Sequence, residues 1–205
     1  MKRLLLMGIL LTPFGLVAET KPNTQFDNYN LFEAELTSGT MDGVYAAGRS
    51  DNTTALAIHL SYRPLANQLL LISDYSARFY HPQDQTVEQY RLRVGAGYFW
   101  PLRENLHLLT HIKVGGLRIS GNQVTNNLTR EIYSADLGLR YALSEHWLIS
   151  LLAEANFNHW QDEYVYALKA DYQLNRRLAL GAMMTFRDGE YQDINEFGMT
   201  LRIHY

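Results

Sequence analysis

The chain has 205 residues and a formal net charge of −3. It contains 14 tyrosines and no cysteine. That length sets the scale of one ordinary domain, and the absent cysteine excludes disulfides and a lipid anchor on an N-terminal cysteine. No basic tract marks a nucleic-acid partner, and no metal-ligand spacing or nucleotide fingerprint implies a cofactor.

Residues 1–18 read as a signal peptide. Met1-Lys2-Arg3 is a basic start, Leu4 to Val17 is an apolar run broken by Thr12 and Pro13, and Ala18 precedes a polar stretch. Residues 19–205 are then one domain, and losing Lys2 and Arg3 takes its charge to about −5. Beyond the leader there is no apolar run of the ~18 residues that a membrane helix needs.

The apolar content is spread instead with period two, which puts alternate side chains on opposite faces of a strand. Ten strands are expected, over 28–38, 53–63, 68–80, 89–100, 105–117, 129–143, 146–158, 163–173, 177–187 and 195–205. The second carries Leu56, Ile58, Leu60 and Tyr62 against His59 and Ser61. The fourth carries Leu92, Val94, Ala96 and Tyr98 against Arg91, Arg93, Gly95 and Gly97. The sixth carries Tyr133, Ala135, Leu137, Leu139 and Tyr141 against Ser134, Asp136, Gly138 and Arg140. The other seven divide in the same way. The apolar sets read in this way, from Tyr133 onward in the sixth strand, contain no Asp, Glu, Lys or Arg.

A soluble sandwich also alternates, but strands of about 10 residues match a tilted membrane span and are nearly twice the globular average. The exclusion of charge fits a lipid face, where a charge costs roughly 2–4 kcal/mol. The expected fold is therefore all-β: an antiparallel up-and-down transmembrane barrel of ten strands. Eight is the alternative if the first two do not span.

Connections alternate between tight turns (63–67, 101–105, 143–146, 173–176) and longer or more polar loops (38–52, 81–85, 120–127, 159–162, 188–193). Short periplasmic turns with longer external loops place both termini in the periplasm. Tyr62, Tyr98, Trp100, Tyr141, Trp147, Tyr172 and Tyr205 then gather at the turn side. Phe79, Tyr90, Tyr133, Phe157, Tyr164, Phe186 and Phe197 gather at the loop side, as two interfacial girdles.

The last ten residues, Glu196 to Tyr205, place Gly198 ahead of Leu201, Ile203 and a terminal aromatic, Tyr205. This resembles the C-terminal assembly signal of small Gram-negative outer-membrane barrels, the OmpA/OmpX-like superfamily. Turns of the form Tyr141-Ala142-Leu143-Ser144-Glu145-His146-Trp147 resemble that family too. The resemblance implies an outer-membrane location, contact with outer-membrane lipid and lipopolysaccharide, and insertion by the barrel assembly machinery.

The polar face is the expected interior. Its acids are Glu33, Glu35, Asp74, Asp136, Glu154 and Asp171. Its bases are Arg78, Arg91, Arg93, Lys113, Arg140, Lys169, Arg187 and Arg202. Buried charge must be paired, and a barrel of about this size is filled by side chains, so a salt-bridged plug is the leading expectation. The basic excess keeps a narrow pore for small solutes or ions as the alternative.

Three further constellations stand out in the sequence. His107 and His111 stand ~13 Å apart on a strand, too far for one ion. His59-Leu60-Ser61 resembles the His-x-Ser pair of outer-membrane lipid A deacylases. His81, Asp84, His159, Asp162 and Glu163, at two external loops, resemble the acidic and histidine-bearing rim of omptin proteases. A lipid A-modifying enzyme or protease is thus a second alternative, and a solvated rim is the default. Loop 38–52 contains Gly39, Gly43 and Gly48 beside Met41, Val44 and Tyr45, and is the expected contact for a protein partner. The function expected overall is non-enzymatic: structural, adhesive or partner-binding.

Overall fold

The computed structural model describes residues 28–43, 51–64, 68–81, 86–121, 128–159, 162–190 and 192–205. The expected signal peptide lies outside them. Ten strands follow one another: β1 Leu31–Gly43, β2 Asp51–Tyr62, β3 Leu69–His81, β4 Val87–Arg103, β5 Leu106–Gly121, β6 Leu128–Ala142, β7 Trp147–Asn158, β8 Asp162–Gln173, β9 Leu178–Gly189 and β10 Gln192–His204. Each pairs antiparallel with its sequence neighbour, and β1 pairs with β10, closing the barrel. The first ladder runs from Leu31 opposite His204 to Gly43 opposite Gln192. Closure gives every strand two partners, so no edge is left to satisfy in lipid.

The ten-strand expectation holds, and the eight-strand alternative does not. The strand ends differ from the expected ones at the loop side. β1 runs on to Gly43, which takes a positive φ of 138°, and β2 begins at Asp51. Residues 38–43 and 51–52 are therefore wall rather than loop, and 44–50 lie outside the described residues. β5 likewise reaches Gly121, β9 Gly189, and β10 starts at Gln192. The loop-side connections shrink to 44–50, 82–86, 122–127, 159–161 and 190–191. The expected contrast in connection length is correspondingly weaker.

The turn side is built as its sequence reads. After Tyr141 and Tyr172 come two matching four-residue turns. Leu143 N donates to Trp147 O (2.9 Å) and Leu174 N donates to Leu178 O (2.9 Å). Ser144 Oγ accepts from Trp147 N (3.2 Å), and Asn175 Oδ1 accepts from Arg177 N (2.8 Å). Short polar side chains thus take up turn amides that lack a ladder partner. Pro101 sits where the β4–β5 register shifts, a position that tolerates its missing N–H.

The outward face is an apolar belt. Leu92 is 57% exposed, Ile112 75% and Met199 75%, and all fourteen expected girdle aromatics stand on the outward face. A continuous apolar band of this kind is incompatible with water and requires lipid around the barrel. Beyond the loop-side aromatics the outward face turns charged, at Glu88, Arg118 and Glu131, which marks that border of the belt. Tyr90 Oη donates to Glu88 (2.9 Å) across it.

Candidate functional site

The inward face holds the candidate site, and strand register assembles it. Asp74 on β3 lies opposite Arg93 on β4, and Arg93 Nε donates to Asp74 Oδ1 (2.7 Å). Asp136 on β6 lies opposite Glu154 on β7, a like-charge pair that is unfavourable by itself. Two cations resolve it. Lys113 pairs with both Asp136 (2.9 Å) and Glu154, and Arg93 reaches Glu154 at 2.9 Å from three strands away. His111 Nδ1 lies 2.5 Å from Asp136 Oδ1.

A second network joins β1, β2, β8 and β10. Arg202 lies opposite Glu33 and donates to it (2.7 Å), and it also pairs with Asp171 at 2.9 Å. Lys169 crosses from β8 to Glu33 (2.5 Å) and Glu35 on β1. His59 Nε2 lies 3.3 Å from Glu35. Thr200 donates to Asp171 (2.7 Å) across Gly181, which separates the two in register. A Cβ on Gly181 would lie 2.3 Å from Asp171 Oδ1 and 2.4 Å from Thr200 Oγ1, so this contact requires glycine.

The third network lies nearer the loops. Arg91 on β4 pairs with Glu163 on β8 at 2.9 Å, bridging the lumen between walls four strands apart. Arg187 pairs with Glu163 (3.4 Å) and Glu196 (3.5 Å), and Arg78 with Glu196 (3.0 Å). Asn156, fully buried, donates to Glu154 (2.9 Å) and Glu163 (3.0 Å), joining this network to the first.

All fourteen charged residues expected inside do face inward. Two more join them. Glu163, expected on an external loop, is a buried wall residue of β8, and Glu196 on β10 is buried as well. With these the six expected acids become eight against the eight expected bases, and Asp51 at the loop end of β2 shares the inward parity of Met41 opposite it, so the apparent basic excess disappears among the described residues. Glu163 and Glu196 carry the parity of interior neighbours, Lys169 and Asp171 for one and Thr200 and Arg202 for the other. Both lie inside the expected strands 163–173 and 195–205, so applying parity up to the loop-side strand ends finds them.

The remaining candidates separate. His107 and His111 go to different partners, Tyr29 and Asp136. Ser61 faces the lumen beside His59, and its buried Oγ makes no hydrogen bond among the described residues. At the rim, His81, Asp162 and His159, which follows β7, are exposed, while Asp84 lies outside the described residues. Among the terminal-strand residues, Leu201 and Ile203 face outward, and Gly198 packs against Thr37 of β1. Tyr205 N donates to Asn30 O (3.1 Å) and its hydroxyl donates to Ser61 O (3.2 Å), fastening the closing strand.

Apolar clusters stand toward both ends of the lumen. Met41, Tyr80 and Ile194 pack with Val87 toward the loops. Tyr29, Leu70 and Phe99 pack with Ile72 and Leu109 toward the turns. Between the turn-side cluster and the charged networks lies a cavity of about 200 Å³, lined by Leu70, Ile72, Leu109, Leu152, His59, Ser61 and Arg140 among others.

No protein-family model matches the chain, and no curated protein matches it. Solved structures do. The porin NanC aligns with a TM-score of 0.51 and 10% identity over 84% of this chain and 100% of that chain. An outer-membrane channel of Pseudomonas putida F1 aligns with a TM-score of 0.50 and 12% identity, over 85% of this chain and 94% of that one. At such identities the likeness is one of fold: this chain is similar to outer-membrane β-barrels in architecture.

Proposed function

We propose that the chain is a Gram-negative outer-membrane barrel that passes no solute and acts through its outer surface, in a structural, adhesive or partner-binding role. The observation carrying this reading is the lumen. Ion pairs cross it between walls three and four strands apart, and apolar clusters stand at either end. A small barrel filled in this way leaves no continuous water column. The pore alternative drew on an excess of interior arginine, and Glu163 and Glu196 remove that excess.

Both termini are periplasmic in this reading, so β1 and β2 carry residues 44–50 to the cell surface, where a protein partner is engaged. The girdle aromatics contact lipid and lipopolysaccharide, and the barrel assembly machinery reads Gly198, Leu201, Ile203 and Tyr205. The role is non-enzymatic. His59 is engaged by Glu35 inside the wall, away from any lipid substrate. Purified protein in proteoliposomes is expected to leave small sugars impermeant, with swelling rates equal to those of empty vesicles. Swelling that rises with protein content and falls with sugar size overturns the reading.

A further inference from the structure

The two ends of the lumen are closed by different means. At the loop end Met41, Tyr80 and Ile194 all stand on strands, so that closure belongs to the wall. At the turn end the closing ring is Tyr29, which precedes β1 and is 2% exposed. It stacks on Phe99 with centroids 4.3 Å apart at 23°. Its hydroxyl lies 2.6 Å from His107 Nδ1. The Arg140 guanidinium carbon sits 4.8 Å from its ring centroid.

Face stacking, a cation over the ring and a hydrogen bond to the hydroxyl are together what recognises a phenol. None of the three requires the phenol to be attached to this chain. The anchor lies one residue further on: Asn30 Oδ1 accepts from Arg63 N (2.8 Å), and Asn30 O holds Tyr205 N. Asn28, on the other side of Tyr29, is tied as well: its Oδ1 accepts from Asn30 N (3.0 Å) and its backbone bonds the His204 ring, so Tyr29 turns out about Asn30 by releasing those two contacts while the Asn30 bonds to Arg63 and Tyr205 stay in place. Tyr29, Leu70 and Arg140 also line the cavity of about 200 Å³ behind the slot. An apolar space of roughly 150 Å³ already admits a benzene ring.

We propose that the turn end of the lumen is a binding site for a small phenol, one aromatic ring bearing a hydroxyl, which Tyr29 occupies in cis as a displaceable cork. Toward the loops the chamber ends on the Arg93 and Lys169 networks, so a ligand that enters from the turn side is held and not passed through.

Chemical rescue tests this. The probe is p-cresol, the tyrosine side chain as a free molecule, with toluene as its counterpart lacking the hydroxyl. Folded Tyr29→Ala protein in detergent, identified by its heat-modifiable gel mobility, is expected to melt several degrees below wild type. Saturating p-cresol should restore most of that loss, toluene distinctly less, and neither should stabilise wild type. Adding His107→Phe to Tyr29→Ala should abolish the preference for p-cresol. Equal effects of p-cresol on wild type and Tyr29→Ala, or equal rescue by toluene, overturn the proposal. Should Tyr29→Ala not fold, Tyr29→Phe serves instead. Its loosened cork should let 4-fluorophenol show a saturable fluorine-NMR shift larger than in wild type, and an equal or absent shift overturns the proposal.

Discussion

The loop half and the turn half of the lumen are lined by the same ten strands with the same alternation, yet they are filled differently. Toward the loops and midplane, carboxylates and cations from distant walls meet directly, as in Arg91–Glu163 and Arg93–Glu154. Toward the turns the space holds an aromatic stack, aliphatic side chains and a cavity. Where long charged side chains interlock, the filling is bound to the wall and hard to alter. Where short aliphatic chains leave a gap closed by one ring from outside the sheet, it is open to exchange. Rigidity and capacity to bind thus separate along the barrel axis.

The largest expected effect comes from breaking the charge-linked half. Arg93→Leu removes one of the two cations shared by Asp74 and Glu154 and leaves Lys113 alone among three buried carboxylates, which is expected to cost about 3–5 kcal/mol. Guanidinium unfolding of the refolded protein in lipid vesicles reads this directly. A loss under about 1 kcal/mol would mean that charge pairing does not hold this half together. Next is Leu92→Arg, which sets an arginine on the lipid side of a strand whose flanking Arg91 and Arg93 point inward. A cost of about 2–4 kcal/mol is expected in the same assay, and no cost would place Leu92 outside the hydrocarbon.

A pair of glycines sharpens the contrast. Gly181→Ala drives a methyl group into Asp171 and Thr200 and is expected to lose roughly 1–3 kcal/mol. Gly138→Ala borders the cavity, where the new atom would meet Leu109 and Leu152 at an ordinary 3.7 Å and Leu151 O at a tighter 3.3 Å, which a shift of a few tenths of an ångström relieves. Its expected change is the smallest, within about 0.5 kcal/mol. Equal losses at the two glycines would erase the distinction between a filled half and a roomy one.

Much of this architecture is legible in the sequence, because a lipid face and a lumen face impose opposite compositions with a period of two. Asp136 and Arg140 fall inside and Leu137 and Leu139 outside by parity alone. The four-residue turns after Tyr141 and Tyr172 are also written in the sequence, through Ser144 and Asn175. Strand ends at the loop side are less so, since polar residues there suit wall and loop equally. Glu163 and Glu196 lie within the expected strands, but at loop-side ends where a charge also suits an exposed rim, and that ambiguity is what hid them. Tyr29 left no local signal. Its role depends on Phe99, His107 and Arg140 converging from β4, β5 and β6, which is a property of closure rather than of any one segment.

The central claim is that the lumen is interrupted, and electrical recording in planar lipid bilayers tests it most directly. Purified wild-type protein, and the uncorked Tyr29→Ala variant in which the charged networks remain, are both expected to insert without producing discrete current steps. Reproducible single-channel steps from wild-type protein, scaling with salt concentration, would contradict the account.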